Sequence, residues 1–370
     1  MKAFFCSTPY QIIVSLMIES ENNCGKESDI YILNNFETAE KCALKLKKLE
    51  IFNNVFFINN VELKKSISGS AISYIKRIIY YFFPKKILKS YCNLSTFDYD
   101  EIYFSFYSFI VQFTILFLNK TNKNLKVILF DDGIASYTGE YIEKKQNEKK
   151  AKVNFLKFFG FHKNIYRFDE ILLIEPSLFI GKSSVPIKKI DNKKFSFNKL
   201  EKIFGNNKGI NEKIIFFTQP ELNQQIQTGI NQIILQINNM YPDFIIKEHP
   251  REELNYRNIG AKTFENKCIP FECLYNNCKN REGKIFISYF STACLTPKIL
   301  FGENPTIIFL FKLKELENIF TKEDEIFVLG KEDEKFVENF FSLYPKGKLY
   351  LPTSIKELIN ILERDNDEKD

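Results

Sequence analysis

Only two histidines occur in the 370 residues, His162 and His249, so any chemistry that needs an imidazole is confined to two places. His249 ends the run Ile245-Ile246-Lys247-Glu248-His249-Pro250-Arg251. The apolar residues read as a strand, and Pro250 forces the chain out of the sheet because it cannot donate to a ladder. His249 is thus expected at a carboxyl strand end, able to exchange a proton or a hydrogen bond with a ligand; a neutral core histidine is the structural alternative. His162 sits in a basic, aromatic stretch and reads as structural. A second candidate is Val127-Ile128-Leu129-Phe130-Asp131-Asp132-Gly133. Neighbouring side chains at a strand end point in opposite directions, so at most one of Asp131 and Asp132 faces a ligand while the other caps a turn. Opposite His249, such a carboxylate makes an acid/base pair. In Phe286-Ile287-Ser288-Tyr289-Phe290-Ser291-Thr292-Ala293 a strand runs out into hydroxyls, and a helix can start at Ala293-Cys294-Leu295. Ser288, Ser291 and Thr292 with N–H groups there suit a phosphate, or form an ordinary N-cap. Thr218-Gln219-Pro220-Glu221 is a fourth site, where Glu221 could supply a carboxylate.

These residues need a scaffold that collects strand ends. Lys2 to Cys6 reads as a strand, with Thr8 as N-cap and Pro9 at the first position of the next helix. Asp29–Leu33, Asn54–Ile58, Glu101–Phe106 and Lys126–Phe130 are further strands with helical sequence between them. A second such series begins at Ile214–Phe217 and continues through Phe244–Ile246, Lys284–Ile287 and Thr306–Leu310. The alternation implies βαβ units and parallel sheets. The polar stretch between Ile187 and Lys213 is the expected boundary, giving residues 1–190 as one domain, 191–212 as a linker and 213–370 as the second. Two such domains form a cleft at the carboxyl ends of their sheets, where ligands bind. The charged end Glu363–Asp370 reads as frayed.

Composition excludes other classes. The charge is +6, from 52 Lys and Arg against 46 Asp and Glu, too small to argue for nucleic acid. No apolar stretch approaches the ~18 residues of a spanning helix, and no secretory signal is evident, so a soluble or peripheral cytoplasmic protein is expected. The eight cysteines include no C-x-x-C pair and read as free, buried thiols. Asp98-Tyr99-Asp100 precedes a strand and reads as a turn, not a metal-nucleotide motif. No G-x-G-x-x-G, P-loop or H-E-x-x-H is present. Residues 76–86 and 155–163 mix basic and aromatic residues, which suits either docking on an anionic membrane or core helices with snorkelling lysines.

Taken together, Cys6-Ser7-Thr8-Pro9-Tyr10-Gln11, Phe130-Asp131-Asp132-Gly133, His249-Pro250-Arg251 and Tyr289-Phe290-Ser291-Thr292-Ala293-Cys294-Leu295-Thr296 make the chain resemble the bacterial sialyltransferases of glycosyltransferase family 52. The resemblance implies a GT-B-like α/β fold, with an acceptor-side first domain and a second domain that binds CMP-sialic acid. It implies no metal or other cofactor, and a terminal galactose of lipooligosaccharide or capsule as acceptor. By position it makes His249 the residue acting on the leaving phosphate, whose growing negative charge suits an imidazolium there. Ser291 and Thr292 fall where the phosphate is bound, with Ser288, Thr8, Pro250 and Arg251 beside them. Either Glu221 or Asp132 is the base, and an α-2,3 linkage with inversion is expected. Another nucleotide sugar, capsule extension, or a non-catalytic glycan-binding protein at a membrane surface are the alternatives. A peripheral contact with the inner membrane and a homodimer are further expectations.

Overall fold

Short strands of Ile, Phe, Leu and Val that are apolar on both faces belong in parallel sheets covered by helices. The structure, a computed structural model, describes residues 1–21, 27–92, 98–138, 168–180, 182–205, 208–219, 224–317 and 331–367. It divides into two α/β units, Met1–Phe204 and Gly205–Asp370.

In the first unit, β1 (Lys2–Cys6), β2 (Ser28–Leu33), β3 (Asn54–Ile58), β4 (Glu101–Phe104), β5 (Lys126–Phe130), β6 (Glu170–Leu173) and β7 (Ile187–Lys189) form one sheet. Their order is β3-β2-β1-β4-β5-β6-β7, and all pairs are parallel. The chain builds outward from β1 to β3, then returns to add β4 on the other side. The switch point therefore lies between β1 and β4, where open α/β sheets bind ligands at the carboxyl ends of their strands. The helix Pro9–Glu21 covers the sheet and is buried from Gln11 to Glu19.

In the second unit, β8 (Ile214–Phe217), β9 (Phe244–Lys247), β10 (Ile285–Ser288), β11 (Thr306–Phe309) and β12 (Leu349–Tyr350) pair in the order β12-β11-β10-β8-β9, again all parallel. Here the switch point falls between β8 and β10. The expected α/β class with two Rossmann-like parallel sheets, as in GT-B enzymes, is what the chain adopts.

Three strands escape the sequence reading. β7 opens the stretch that reads as polar, and its lysines face water: Lys188 pairs with Glu170 at 2.5 Å and Lys189 with Glu175 at 3.2 Å. Charges on an edge strand block further pairing, which is why the strand does not look apolar. β6 and the two-residue β12 are too short to carry a period. The stretch 191–212 also contains the helix Lys199–Phe204, which packs on the helix Ala39–Leu49 of the first unit.

Asp98-Tyr99-Asp100 lies in the loop that leads into β4. Asp100 pairs with the N-terminal ammonium at 2.6 Å, and the buried Tyr99 hydroxyl donates to Asp29 at 2.6 Å. The six cysteines whose side chains are described are all free thiols. Among the described residues no cluster of His, Cys, Asp and Glu is arranged to hold a metal, and no helix is long and apolar enough to cross a membrane.

Candidate active site

At the end of β1 the chain turns through Ser7 and Thr8 into the helix Pro9–Glu21. Thr8 Oγ1 accepts the Gln11 N–H at 3.2 Å, the N-cap bond expected of a Thr before Pro. That fixes the start of the helix and aims Gln11 along the strand ends. Gln11 Oε1 accepts the Ser7 N–H at 2.6 Å, and its Nε2 donates to Asp132 Oδ1 at 2.9 Å. Asp132 follows β5, two strands from β1 with β4 between them. The bond therefore spans the carboxyl end of the sheet beside its switch point.

The two aspartates part as alternation demands. Asp131 is fully buried. Its Oδ1 accepts the Gly133 N–H at 2.8 Å and the Tyr10 hydroxyl at 3.4 Å; its Oδ2 accepts the Ile174 N–H at 3.1 Å and the Tyr137 hydroxyl. It is the residue that holds the turn together. Asp132 is half-buried, and burial with the neighbouring Asp131 pushes its carboxyl up to about 7 against the pull of Gln11. A carboxylate with its pKa near neutrality is well placed for general-base work.

Gly133 makes this arrangement possible. Its φ of 87° and ψ of −152° lie in a region open essentially to glycine alone. Gly133→Ala is expected to lose on the order of 1–3 kcal/mol of stability, measurable by chemical denaturation. The bond from Gln11 has its own consequence. Gln11→Leu removes the side-chain donor that lowers the Asp132 pKa, so the acid limb of a kcat/KM profile should move to higher pH. An unmoved limb with lower stability would make Gln11 merely structural.

In the second unit β8 ends in Thr218 and Gln219, β9 in Glu248 and His249, and β10 in Tyr289 to Thr292. The His249 N–H donates to the buried Thr218 Oγ1 at 2.9 Å, tying adjacent strand ends together. The Arg251 N–H donates to His249 Nδ1 at 3.1 Å. Nδ1 is thereby an acceptor, so the neutral ring carries its proton on Nε2. Burial first, then Arg251 and Lys247, push the His249 pKa down to about 4. That direction favours a neutral imidazole with an Nε2–H to offer in the free protein near pH 7.

Beside it, the Phe290 N–H donates to Gln219 Oε1 at 3.3 Å across the switch point between β8 and β10. Ser288 is fully buried, and its Oγ accepts the Ser291 N–H at 2.9 Å and the Cys294 thiol at 3.3 Å. It shapes the turn from beneath. Ser291 caps the following turn through the Ala293 N–H at 3.3 Å, and with Thr292 it is half-buried; Arg251 is exposed and Pro250 half-buried. Pro220, Glu221 and His162 lie outside the described residues, as does the stretch 155–163.

Sequence reasoning misses two positioning groups. Gln11 stands in the first motif with no local sign of its role, and Thr218 stands beside Glu221 in the same way. Gln11 is 121 positions from the carboxylate it holds, and no local pattern links them.

Every one of these positions falls within one family match. The model of the alpha-2,8-polysialyltransferases (POLYST) aligns with residues 2–310. The chain belongs to this family. The expectation of a sialyltransferase holds at that level, and the family matched is the polysialyltransferase one rather than one named as glycosyltransferase family 52. No curated protein matches the chain in sequence. Among solved structures, an α/β-galactoside α-2,3-sialyltransferase from Photobacterium phosphoreum is 15% identical, with 95% of this chain and 98% of that chain covered and a TM-score of 0.49. A Photobacterium 2,6-sialyltransferase solved with CMP and lactose is 16% identical over 95% of this chain and 78% of that one, also at 0.49. A structure assigned as a UDP-N-acetylglucosamine 2-epimerase from Listeria monocytogenes reaches 0.53 at 10% identity, covering 100% of this chain and 88% of that one; this likeness is one of fold.

Proposed function

We propose that the chain transfers sialic acid from CMP-sialic acid, with inversion, to the terminal sugar of a cell-surface glycan. Family membership over residues 2–310 carries this reading. In the proposed reaction Asp132 takes the proton of the acceptor hydroxyl, and the oxygen attacks the anomeric carbon as its bond to the CMP phosphate breaks through an oxocarbenium-like state. CMP leaves with the bonding pair. The Nε2–H of His249 donates to the phosphate oxygen as its charge grows, and that phosphate in turn favours protonation of the ring. Ser291, Thr292, Pro250 and Arg251 are the proposed contacts to CMP, with Thr8 serving by setting Gln11. Glu221 is the alternative base. A single phosphate needs less charge neutralisation than a diphosphate, in keeping with a reaction that runs without metal.

The family's description favours an acceptor that already ends in sialic acid and an α-2,8 linkage, and we put that reading first. The motif resemblance favours galactose and α-2,3. Offering CMP-sialic acid with lactose or with an α-2,8-linked disialyl oligosaccharide, and assigning the product linkage by NMR, separates them. Extension of the disialyl acceptor alone supports the first; a sialylated galactose alone replaces it with the second. Retention at the anomeric carbon in either product would falsify the direct displacement.

A further inference from the structure

The helix Ala71–Phe82 turns an apolar stripe to the solvent. Ile72, Ile75 and Ile79 are 68%, 58% and 44% exposed, and Phe83, just past its end, is 64% exposed. Their spacing of three, four and four residues puts them on one line down the helix. The opposite face is the packed one: Tyr81 is buried, stands 5.4 Å from the Phe113 ring and donates to Gln112 at 3.0 Å, which anchors the helix on Phe109–Thr121. Ser70 and Ser73 form a capping box that fixes where the helix begins. The stripe is thus a surface presented by a well-anchored helix.

The sequence around it is strongly basic, with Glu62 on the helix Asn60–Ile67 as the one nearby acid before it. From Leu63 to Cys92 the sequence holds seven Lys and Arg residues and no Asp or Glu, more positive charge than the net +6 of the whole chain. Lys76, Lys85, Lys86 and Lys89 are exposed. The next helix, Pro84–Cys92, begins directly after Phe83, so Lys85 and Lys86 follow that ring closely in the chain; Lys85 Nζ stands 5.9 Å from the Phe117 ring. A cationic rim around a short apolar stripe is the pattern of a helix that lies in a bilayer interface, apolar residues among the acyl chains and lysines at the headgroups. A twelve-residue helix is too short to span. A second copy docked stripe to stripe would bring the two cationic rims together, and a nucleic acid would leave the stripe unused.

We propose that the stripe Ile72, Ile75, Ile79 and Phe83, with its lysine rim, docks the protein on an anionic lipid surface. This goes beyond sialyl transfer and does not depend on it.

The test is co-flotation of the full chain with vesicles of phosphatidylcholine alone or with 30 mol % phosphatidylglycerol. Wild type should float with the anionic vesicles and be released by 0.5 M NaCl. Replacing Lys76, Lys85, Lys86 and Lys89 by Gln should weaken binding on the order of 10³-fold. Ile72→Ser/Ile75→Ser/Ile79→Ser/Phe83→Ser should weaken it at least tenfold while leaving the melting temperature and the turnover of a soluble acceptor unchanged. Failure of wild type to float, or equal binding by the four-serine variant, overturns the proposal. So does a wild-type dimer in sedimentation that the four-serine variant converts to monomer, since the stripe would then serve a second copy. Transferase activity is read separately, so loss of one reading leaves the other standing.

Discussion

Asp132→Asn should lower kcat/KM for sialyl transfer by roughly 10²–10⁴-fold, the usual contribution of a positioned general base, and should make the folded protein more stable above pH 7. Both effects come from one environment. Burial raises the Asp132 carboxyl to about 7, whereas an unfolded chain titrates near the ordinary value of 3.8. Between those values the folded state binds more protons than the unfolded state, so stability falls as pH rises, and the loss is complete above about 7. Asparagine keeps the shape and cannot ionise, so the variant escapes that loss; each kcal/mol recovered is worth roughly 2–4 °C in melting temperature for units of this size. Asp131→Asn is the internal contrast. Its two carboxylate oxygens accept from four donors while fully buried, so the substitution should destabilise by roughly 1–3 kcal/mol at pH 5.5, where Asp132→Asn should lose little. Melting curves of the two variants at pH 5.5 and 8.5, with kcat/KM alongside, check the pair. An Asp132→Asn protein that retains full activity would hand the base to Glu221, and the same assays on Glu221→Gln would then show the loss.

His249→Ala should cost at least 10²–10³-fold in kcat, the effect of deleting one donor to a developing anion. The form of the ring makes this sharper. Held near a pKa of about 4, His249 adds no limb around pH 6.5 to a kcat/KM profile of the free enzyme. The single acid limb expected, at about 7, belongs to Asp132 and should persist in a His249→Gln variant. Because the operating group is a neutral N–H donor, glutamine should recover part of the activity that alanine loses. A limb near 6.5 that disappears in both His249 variants would instead return the imidazolium to the free enzyme. Thr218→Val should sit between these extremes, since it frees the backbone at His249 without removing the ring.

How legible each feature is in the sequence depends on whether local physics sets it. Strands buried on both faces must be apolar throughout, so β1, β5, β8 and β9 announce themselves within a residue or two. β7 does not, because an edge strand is protected by the very lysines that disguise it. The division of labour between Asp131 and Asp132 is legible because alternation at a strand end is a local rule. The partner of Asp132 is not, since Gln11 reaches it only once β4 lies between β1 and β5. The largest influence on the His249 charge also escapes, because it is burial, which only the fold sets; Lys247 and Arg251 stand two residues either side of it in the sequence. Ser288 reads as a phosphate hydroxyl by its place after an apolar run; its burial makes it the support of that turn.

The most direct test is release of CMP from CMP-sialic acid by the purified chain, with lactose or a disialyl oligosaccharide as acceptor and EDTA in excess, beside His249→Ala. The expected result is acceptor-dependent release by wild type that EDTA leaves intact and that the variant lacks. No release with either acceptor, or release that EDTA abolishes, would contradict it.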